Sequence, residues 1–473
     1  MKNWLTHRAE ENPDYPFIYY EGQKLTFRNS LKRVNLISEY LIRSGVKLGK
    51  QIGILLSDPI ELIESFLACL NIGAVTILLD SRLKKLEIEQ RLLTVSPEYI
   101  LTNKKLKNQL PDCKSIIFKR SKTDQKREAL NKFQTDFQND AVCAIIFSTG
   151  THHLPKAVRL TYGNFYSNAE MWHDQMNFSS KDNYLCCLPL THVGGLSIII
   201  RAILYGFTVQ MMNGFHLKKI IELSKTGGFT LISLVPTMLQ RLIDHSDEFS
   251  TNPSMRSIVV GGETSQDSLL KHCLEKNLPV FKTYGMTETA SGISGFYLKD
   301  YPSKKYSSGK PFKDVDLHTR DNEIIITSPS VMKGYANQQN SDGTHYSGDS
   351  GYVDGDGFLF VENRREDLII SGGENINPQE IERIMLNHPL VKDCVVFGKN
   401  DKKWGQMVCS AIVLFASSEK KLFQKKELTK WLKSCLADYK IPKDIIILEK
   451  IPLNIMGKSD KKSLLQLLEF SNT

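Results

Sequence analysis

The sequence predicts an α/β fold with largely parallel sheets, on two observations. Short apolar runs recur, each ending in turn or polar residues, and amphipathic stretches of helical period lie between many of them. The runs are QIGILLSD (51–58), AVTILLD (74–80), EYILTN (98–103), CAIIFSTG (143–150), YLCCLPL (184–190), TLISLVP (230–236) and SIVVGGE (257–263). IELIESFLACLNIG (60–73) and YGNFYSNAEMWHDQM (162–176) are the clearest helical stretches. Strand alternating with helix builds parallel sheets, and such sheets bind ligands beyond the carboxyl ends of their strands. CAIIF-STGT and SIVV-GGET each place a Gly/Ser/Thr loop at such an end.

Residues 104–139 are lysine-rich and weakly periodic, and read as a surface excursion. From about residue 308 the texture changes to short strands with turns: EIIITSPS, VMKGYANQ and YSGDSGYVDGDGFLFVENR. Asp354-Gly355 and Asp356-Gly357 are turn signals. After NRREDLII comes a smaller unit, with a helix starting near Pro378, strands at DCVVFG and SAIVLF, and a helix at ELTKWLKSCL. The expected boundary near 364–367 gives a large domain, 1–363, and a small one, 364–473.

Composition narrows the function class. Hydrophobic content of 41% and charged content of 24% suit a soluble globular chain, and a net charge of +9 favours anionic ligands such as nucleotides and coenzymes. Neither zinc-finger spacing nor an aromatic ribonucleoprotein motif is present, so nucleic acid is not the expected partner. The nine cysteines are odd in number and form no C-x-x-C pair, which favours reduced thiols. No apolar signal core opens the chain and no apolar stretch approaches a membrane span, so the expected location is cytoplasmic.

Residues 147–157, FSTGTHHLPKA, place Lys156 six positions after Gly150. This is not a Walker loop: Pro155 stands where that loop has glycine, and Ala157 where it has its metal-binding hydroxyl. The segment instead resembles the phosphate loop of the adenylate-forming superfamily, [ST][ST]G[ST]TGxPKG, through Ser148, Thr149, Gly150, Thr151, Pro155 and Lys156. His152, His153 and Ala157 depart from it. Further motifs follow in the family's order: FKTYGMTET (281–289), YSGDSG (346–351), NRREDLIISGGENINPQEIE (363–382) and MGKSDKK (456–462). With the pattern above, the resemblance implies a large N-terminal domain of α/β subdomains with a small β-barrel, plus a smaller mobile α+β C-terminal domain. It also implies ATP, Mg²⁺ and coenzyme A as cofactor and cosubstrates.

The resemblance assigns roles. Hydroxyls and backbone N–H groups of the 148–151 loop, with Lys156, bind phosphate oxygens. Tyr284 stacks on adenine within the ATP-contacting stretch Thr283, Tyr284, Gly285, Met286, and Gly262, Glu263 and Thr264 line the base pocket. Thr287 touches the α-phosphate and Glu288 holds Mg²⁺, as an oxygen ligand should for a hard cation; outside the motif, Thr-Glu here would read as a helix start. Asp349 and Arg364 contact the ribose, although an aspartate after glycine is ordinarily a turn residue. Lys458 bridges carboxylate and phosphate charge in the first step. Family members rotate the small domain between steps. Glu366 falls at the hinge, where Asp or Lys is usual, and Ser371, Gly372, Gly373 and Glu374 form the loop that faces coenzyme A.

For the acid, LPLTHVGGLSIIIRAILYG (188–206), DSRL, SLVPTML and IISGGENINPQEIE are similar to the o-succinylbenzoate–CoA ligases of menaquinone synthesis. His192, Val193 and Gly194 then line the acyl pocket, though His192 would otherwise read as a packed structural residue. Arg201 is a candidate for the second carboxylate of an aromatic diacid, or else faces solvent or caps a helix. A left-handed conformation at His153 costs about 1 kcal/mol, which leaves a working loop whose phosphate binding depends on pH through the imidazoles. The other readings are a ligase for a different carboxylic acid, a carrier-protein loading enzyme and a non-catalytic nucleotide sensor; a homo-oligomer is left open.

Overall fold

The computed structural model describes residues 1–118, 133, 135–148, 155–245, 249, 253–262, 265, 267–363, 368–415, 424–452 and 464. Their contacts divide the chain into two units. The first holds Met1–Ser81, Arg91–Ser148 and Lys156–Arg364; the second draws chiefly on Arg365–Thr473 and also takes Arg82–Gln90.

Every apolar run named from the sequence is a strand. In the first unit, a seven-stranded sheet contains Gln51–Leu55, Val75–Leu78, Tyr99–Thr102 and Val142–Ser148, all parallel. A nine-stranded sheet contains Asn183–Cys186, Leu231–Leu234, Ser257–Val260 and Val280–Met286, also parallel. Antiparallel strands close one edge of the first sheet and both edges of the second. Burial on both faces explains why these strands read as unbroken apolar runs.

The Pro59–Ile72 helix begins at Asp58, whose carboxylate accepts from the Ile60 and Glu61 N–H groups, and it stops at Gly73 in the left-handed region. The Tyr162–Met176 helix opens on a capping box between Thr161 and Asn164 and packs on a strand of each large sheet. The Val193–Tyr205 helix is apolar nearly all round, with Ile198, Ile199, Ile200 and Ile203 buried. Each such side chain contributes about 1.5–3 kcal/mol.

One expectation needs correction. The stretch from 104 is more than a surface excursion: Ser115–Ile117 is an edge strand paired with Tyr99–Thr102. The lysine-rich 119–132 lies outside the described residues.

The small barrel takes the form of a four-stranded antiparallel half-barrel sheet, Asp316–Arg320, Glu323–Thr327, Thr344–Val353 and Leu359–Asn363. The second unit is α+β. Val391–Asp401 and Gly405–Leu414 form a long hairpin, Asp444–Leu448 joins it in parallel, and the Pro378–Leu386 and Lys425–Cys435 helices contribute to its core. Residues 82–90 belong here too, and ion pairs fasten them. Arg82 pairs with Glu374 at 2.7 Å, and Glu87 with Lys440 at 2.5 Å. The nine cysteines are free thiols and seven are buried. Among the described residues no helix is long and apolar enough to cross a membrane.

Candidate active site

Ser148 and Lys156 face each other across the antiparallel pair Val142–Ser148 and Lys156–Thr161, so the phosphate loop is the connection between these two strands. Thr149, Gly150, Thr151, His152 and His153 lie outside the described residues, as do Glu263, Thr264, Arg364, Glu366 and Lys458.

After YGM the chain makes one turn of 3₁₀ helix, Thr287–Thr289. It ends at Ala290 in the left-handed region (φ 59°), which costs a non-glycine residue about 1 kcal/mol. Surrounding groups hold it there. Ser197 Oγ donates to the Ala290 carbonyl at 2.9 Å, Asn168 Nδ2 to Thr289 O at 3.2 Å and Gly292 O at 3.0 Å, and Trp172 Nε1 to Gly292 O at 3.1 Å. The Met332 N–H donates to the Glu288 carbonyl at 2.8 Å. Gly285 is fixed by close approach, since a Cβ there would stand 2.2 Å from the Ser291 carbonyl oxygen.

Glu288 is 3% exposed, and its Oε1 accepts from Ser148 Oγ at 2.8 Å and from the Tyr335 hydroxyl at 2.9 Å. Tyr335 also presents its ring to Lys156, whose ammonium lies 5.0 Å from the ring centroid. Two expected site residues 140 positions apart, Ser148 and Glu288, therefore meet, and Tyr335 joins them. A buried carboxylate oriented through one oxygen by neutral hydroxyls offers the oxygen-donor chemistry that a hard divalent cation takes.

Asp349 is not a turn residue but part of the Thr344–Val353 strand. It is buried and accepts a hydrogen bond from the Tyr284 hydroxyl at 2.8 Å, so the residues expected at adenine and ribose touch each other. Elsewhere in the first unit, burial pushes the phenols of Tyr162 and Tyr184 upward, the latter to about 12. Thr283 Oγ1 donates to Ser294 O at 2.7 Å, and the Met286 N–H donates to Thr289 Oγ1 at 3.1 Å. Gly262 follows strand Ser257–Val260 with φ 91°, a conformation only glycine takes without strain.

His192 sits at the N-cap of the Val193–Tyr205 helix, where its carbonyl accepts from Leu196 N at 3.0 Å and its side chain makes no capping bond. Val193 and Gly194 form the first turn. Of the VGG pair, Gly195 is the one the fold requires: a Cβ there would lie 2.5 Å from Pro189 O.

Arg201 neither faces solvent nor caps a helix. It is 3% exposed, donating to Asn168 Oδ1 at 3.0 Å and Ser291 Oγ at 2.9 Å, with its guanidinium 4.4 Å from the Trp172 ring centroid. Burial lowers its pKa to about 10, which leaves it charged at neutral pH.

In the second unit, Ser371 and Glu374 pair across a two-residue hairpin turn. Gly372 (φ 60°) and Gly373 (φ 89°) are both left-handed, as a type I′ turn demands. The Gly372 N–H donates to Trp404 O at 2.7 Å.

Sequence reasoning missed Tyr335, Asn168, Ser291 and Trp172. All four lie outside the residues singled out from the motifs: VMKGYANQ, taken as strand texture, contains Tyr335, and the helical stretch 162–176 contains Asn168 and Trp172.

Comparison with known proteins gives one family throughout. A family model described as AMP-binding enzyme matches residues 5–336, and the model of its C-terminal domain matches 380–458. The chain is 34% identical to a 2-succinylbenzoate–CoA ligase of Bacillus cereus, with 99% of each chain covered. It is 32% identical to a double mutant of the o-succinylbenzoate CoA synthetase of Bacillus subtilis bound to a product analogue, covering 98% of each chain at a TM-score of 0.90. The Bacillus subtilis enzyme in complex with ATP and magnesium matches at 32% identity, over 97% of this chain and 98% of that one, with a TM-score of 0.71.

Proposed function

This chain belongs to the family of AMP-binding enzymes, and on that footing we propose that it is an ATP-dependent acid–CoA ligase acting on 2-succinylbenzoate in menaquinone biosynthesis. The observation that carries the reading is full-length likeness, 34% identity over 99% of both chains, to a ligase of that name.

A carboxylate is a poor electrophile because its own charge repels nucleophiles. A substrate carboxylate oxygen attacks the α-phosphorus of ATP and pyrophosphate leaves, giving an acyl-adenylate. The coenzyme A thiolate then attacks the acyl carbon and AMP leaves. The chain's work is to position the reactants and offset their charge. Lys156 and the 148–151 loop hold phosphate oxygens, Thr287 contacts the α-phosphate, and Glu288 is the metal ligand. Tyr284 and Gly262 serve the adenine. Asp349, prepositioned by the Tyr284 hydroxyl, accepts from the ribose hydroxyls, and Arg364 donates to them. Magnesium, when bound, supplies positive charge to the phosphates.

Lys458, in the small domain 364–473, steadies the reacting carboxylate, and the Ser371–Glu374 turn serves the thioester step. His192, Val193 and Gly194 line the acyl pocket, and Arg201 receives the second carboxylate. Nine free thiols, seven of them buried, support a reducing cytoplasmic setting.

The test is pyrophosphate release from ATP and Mg²⁺ with 2-succinylbenzoate, without and then with coenzyme A. Release sustained only with coenzyme A, yielding thioester and AMP, is the expected result. Turnover with another acid alone would overturn the substrate. Nucleotide binding without turnover on any acid would overturn the enzyme and leave a sensor.

A further inference from the structure

Tyr335 belongs to none of the motifs that carry the family resemblance, yet it touches both charged members of the phosphate site. Its backbone is held firmly. Gly334 and Tyr335 pair antiparallel with Arg159 and Val158, and flanking bonds run from Lys333 N to Arg159 O at 2.9 Å and from Ala336 N to Ala157 O at 2.8 Å. Gly334 has φ 120°, and a Cβ there would stand 2.6 Å from Gln339 O, so the approach to Tyr335 has little freedom. The residue is thus held against the strand that starts with Lys156, and it reaches across to the 3₁₀ turn that carries Glu288.

We propose that Tyr335 is a positioning residue that orients the Glu288 carboxylate for the metal–nucleotide complex while its ring holds Lys156 beside the phosphates. This rests on the reading of the site as an ATP and magnesium site. The Tyr335 and Ser148 hydroxyls, at 2.9 and 2.8 Å, both donate to Oε1, which leaves Oε2 outside the hydroxyl pair. Neutral donors fix the plane of the carboxylate without cancelling its charge, whereas a cation in their place would compete with the metal. The Lys156 ammonium, 5.0 Å from the Tyr335 ring centroid, is attracted by the ring quadrupole. The His345 ring meets the phenol edge-on, at 6.5 Å between centroids and 74°.

Tyr335→Phe separates the two contacts, because it keeps the ring and removes only the hydroxyl. Binding of a fluorescent ATP analogue to the full chain is measured by titration with Mg²⁺ and again in excess chelator. The expected result is about a 10-fold rise in the Mg²⁺ concentration for half-maximal binding, with metal-free affinity unchanged. Tyr335→Leu, which also removes the ring, should in addition weaken metal-free binding by about 2- to 5-fold. An unaltered Mg²⁺ dependence in Tyr335→Phe would overturn the proposal. So would equal losses with and without metal, which a merely structural role produces. A wild-type chain whose nucleotide binding ignores Mg²⁺ would instead overturn the proposed function, and this inference with it.

Discussion

Arg201 in the first unit and Lys440 in the second are both 3% exposed, but one is met by neutral groups and the other by carboxylates. Lys440 lies 2.5 Å from Glu87 Oε1 and 2.9 Å from both oxygens of Glu380; Glu87 Oε2 accepts further from the Ala437 N–H at 2.7 Å. Arg201 has an amide oxygen, a hydroxyl and an indole face, and its Nε finds no hydrogen-bond partner among the described residues. A buried charge costs several kcal/mol unless paired. The first cluster meets that cost internally and is a structural fastening. The Arg201 cluster leaves a positive charge uncompensated by any described carboxylate.

The comparison breaks most visibly at Lys440. Lys440→Met strands two buried carboxylates and should cost about 3–5 kcal/mol, read as a lower urea midpoint for the second unit. Adding Glu87→Gln and Glu380→Gln should restore most of the loss. A single variant within about 1 kcal/mol of wild type would show that the fastening is not electrostatic.

Arg201 should behave in the opposite way. Arg201→Leu is expected to leave stability within about 1 kcal/mol while lowering kcat/KM for 2-succinylbenzoate about 10- to 100-fold. An analogue lacking the second carboxylate should react as before. Equal losses on both acids would make Arg201 a structural residue like Lys440.

Lys282 is the smallest and intermediate case: a half-buried amine whose hydrogen bond goes to the Lys305 carbonyl, pushed down to about 8 by burial. Between pH 8 and the ordinary lysine value of 10.5 the folded chain binds fewer protons here than the unfolded one. Stability from this group therefore rises with pH across that window, and the full cost of the buried charge applies below it. Lys282→Met should raise Tm at pH 7 by about 1–2 °C, with a smaller gain at pH 9.5. The same gain at both values would mean that the amine titrates normally.

Much of the fold was legible because strand and helix are local patterns. CAIIFS had to be a buried strand, and the capping residues Asp58 and Thr161 start their helices beside the sequence they govern. Motif residues were legible for a related reason: Ser148, Tyr284, Glu288 and Asp349 sit in short stretches whose order along the chain carries information. Their partners were not. The Tyr335–Glu288 bond spans 47 residues, Arg201 to Ser291 spans 90, and Lys440 to Glu87 spans 353. No period or spacing reports such pairs.

The sequence by itself determined the alternation of strand and helix, the small glycine- and hydroxyl-rich loops at strand ends, and the charge types available to the site, because each follows from neighbours along the chain. Only the tertiary structure decided which buried charges are matched by carboxylates and which meet neutral groups alone. Asp349 shows the limit: read alone, a glycine followed by aspartate is a turn, but pairing on both sides draws it into a ten-residue strand and turns its carboxylate toward the Tyr284 hydroxyl. Desolvation makes these choices, since a polar group's cost depends on everything that surrounds it in space.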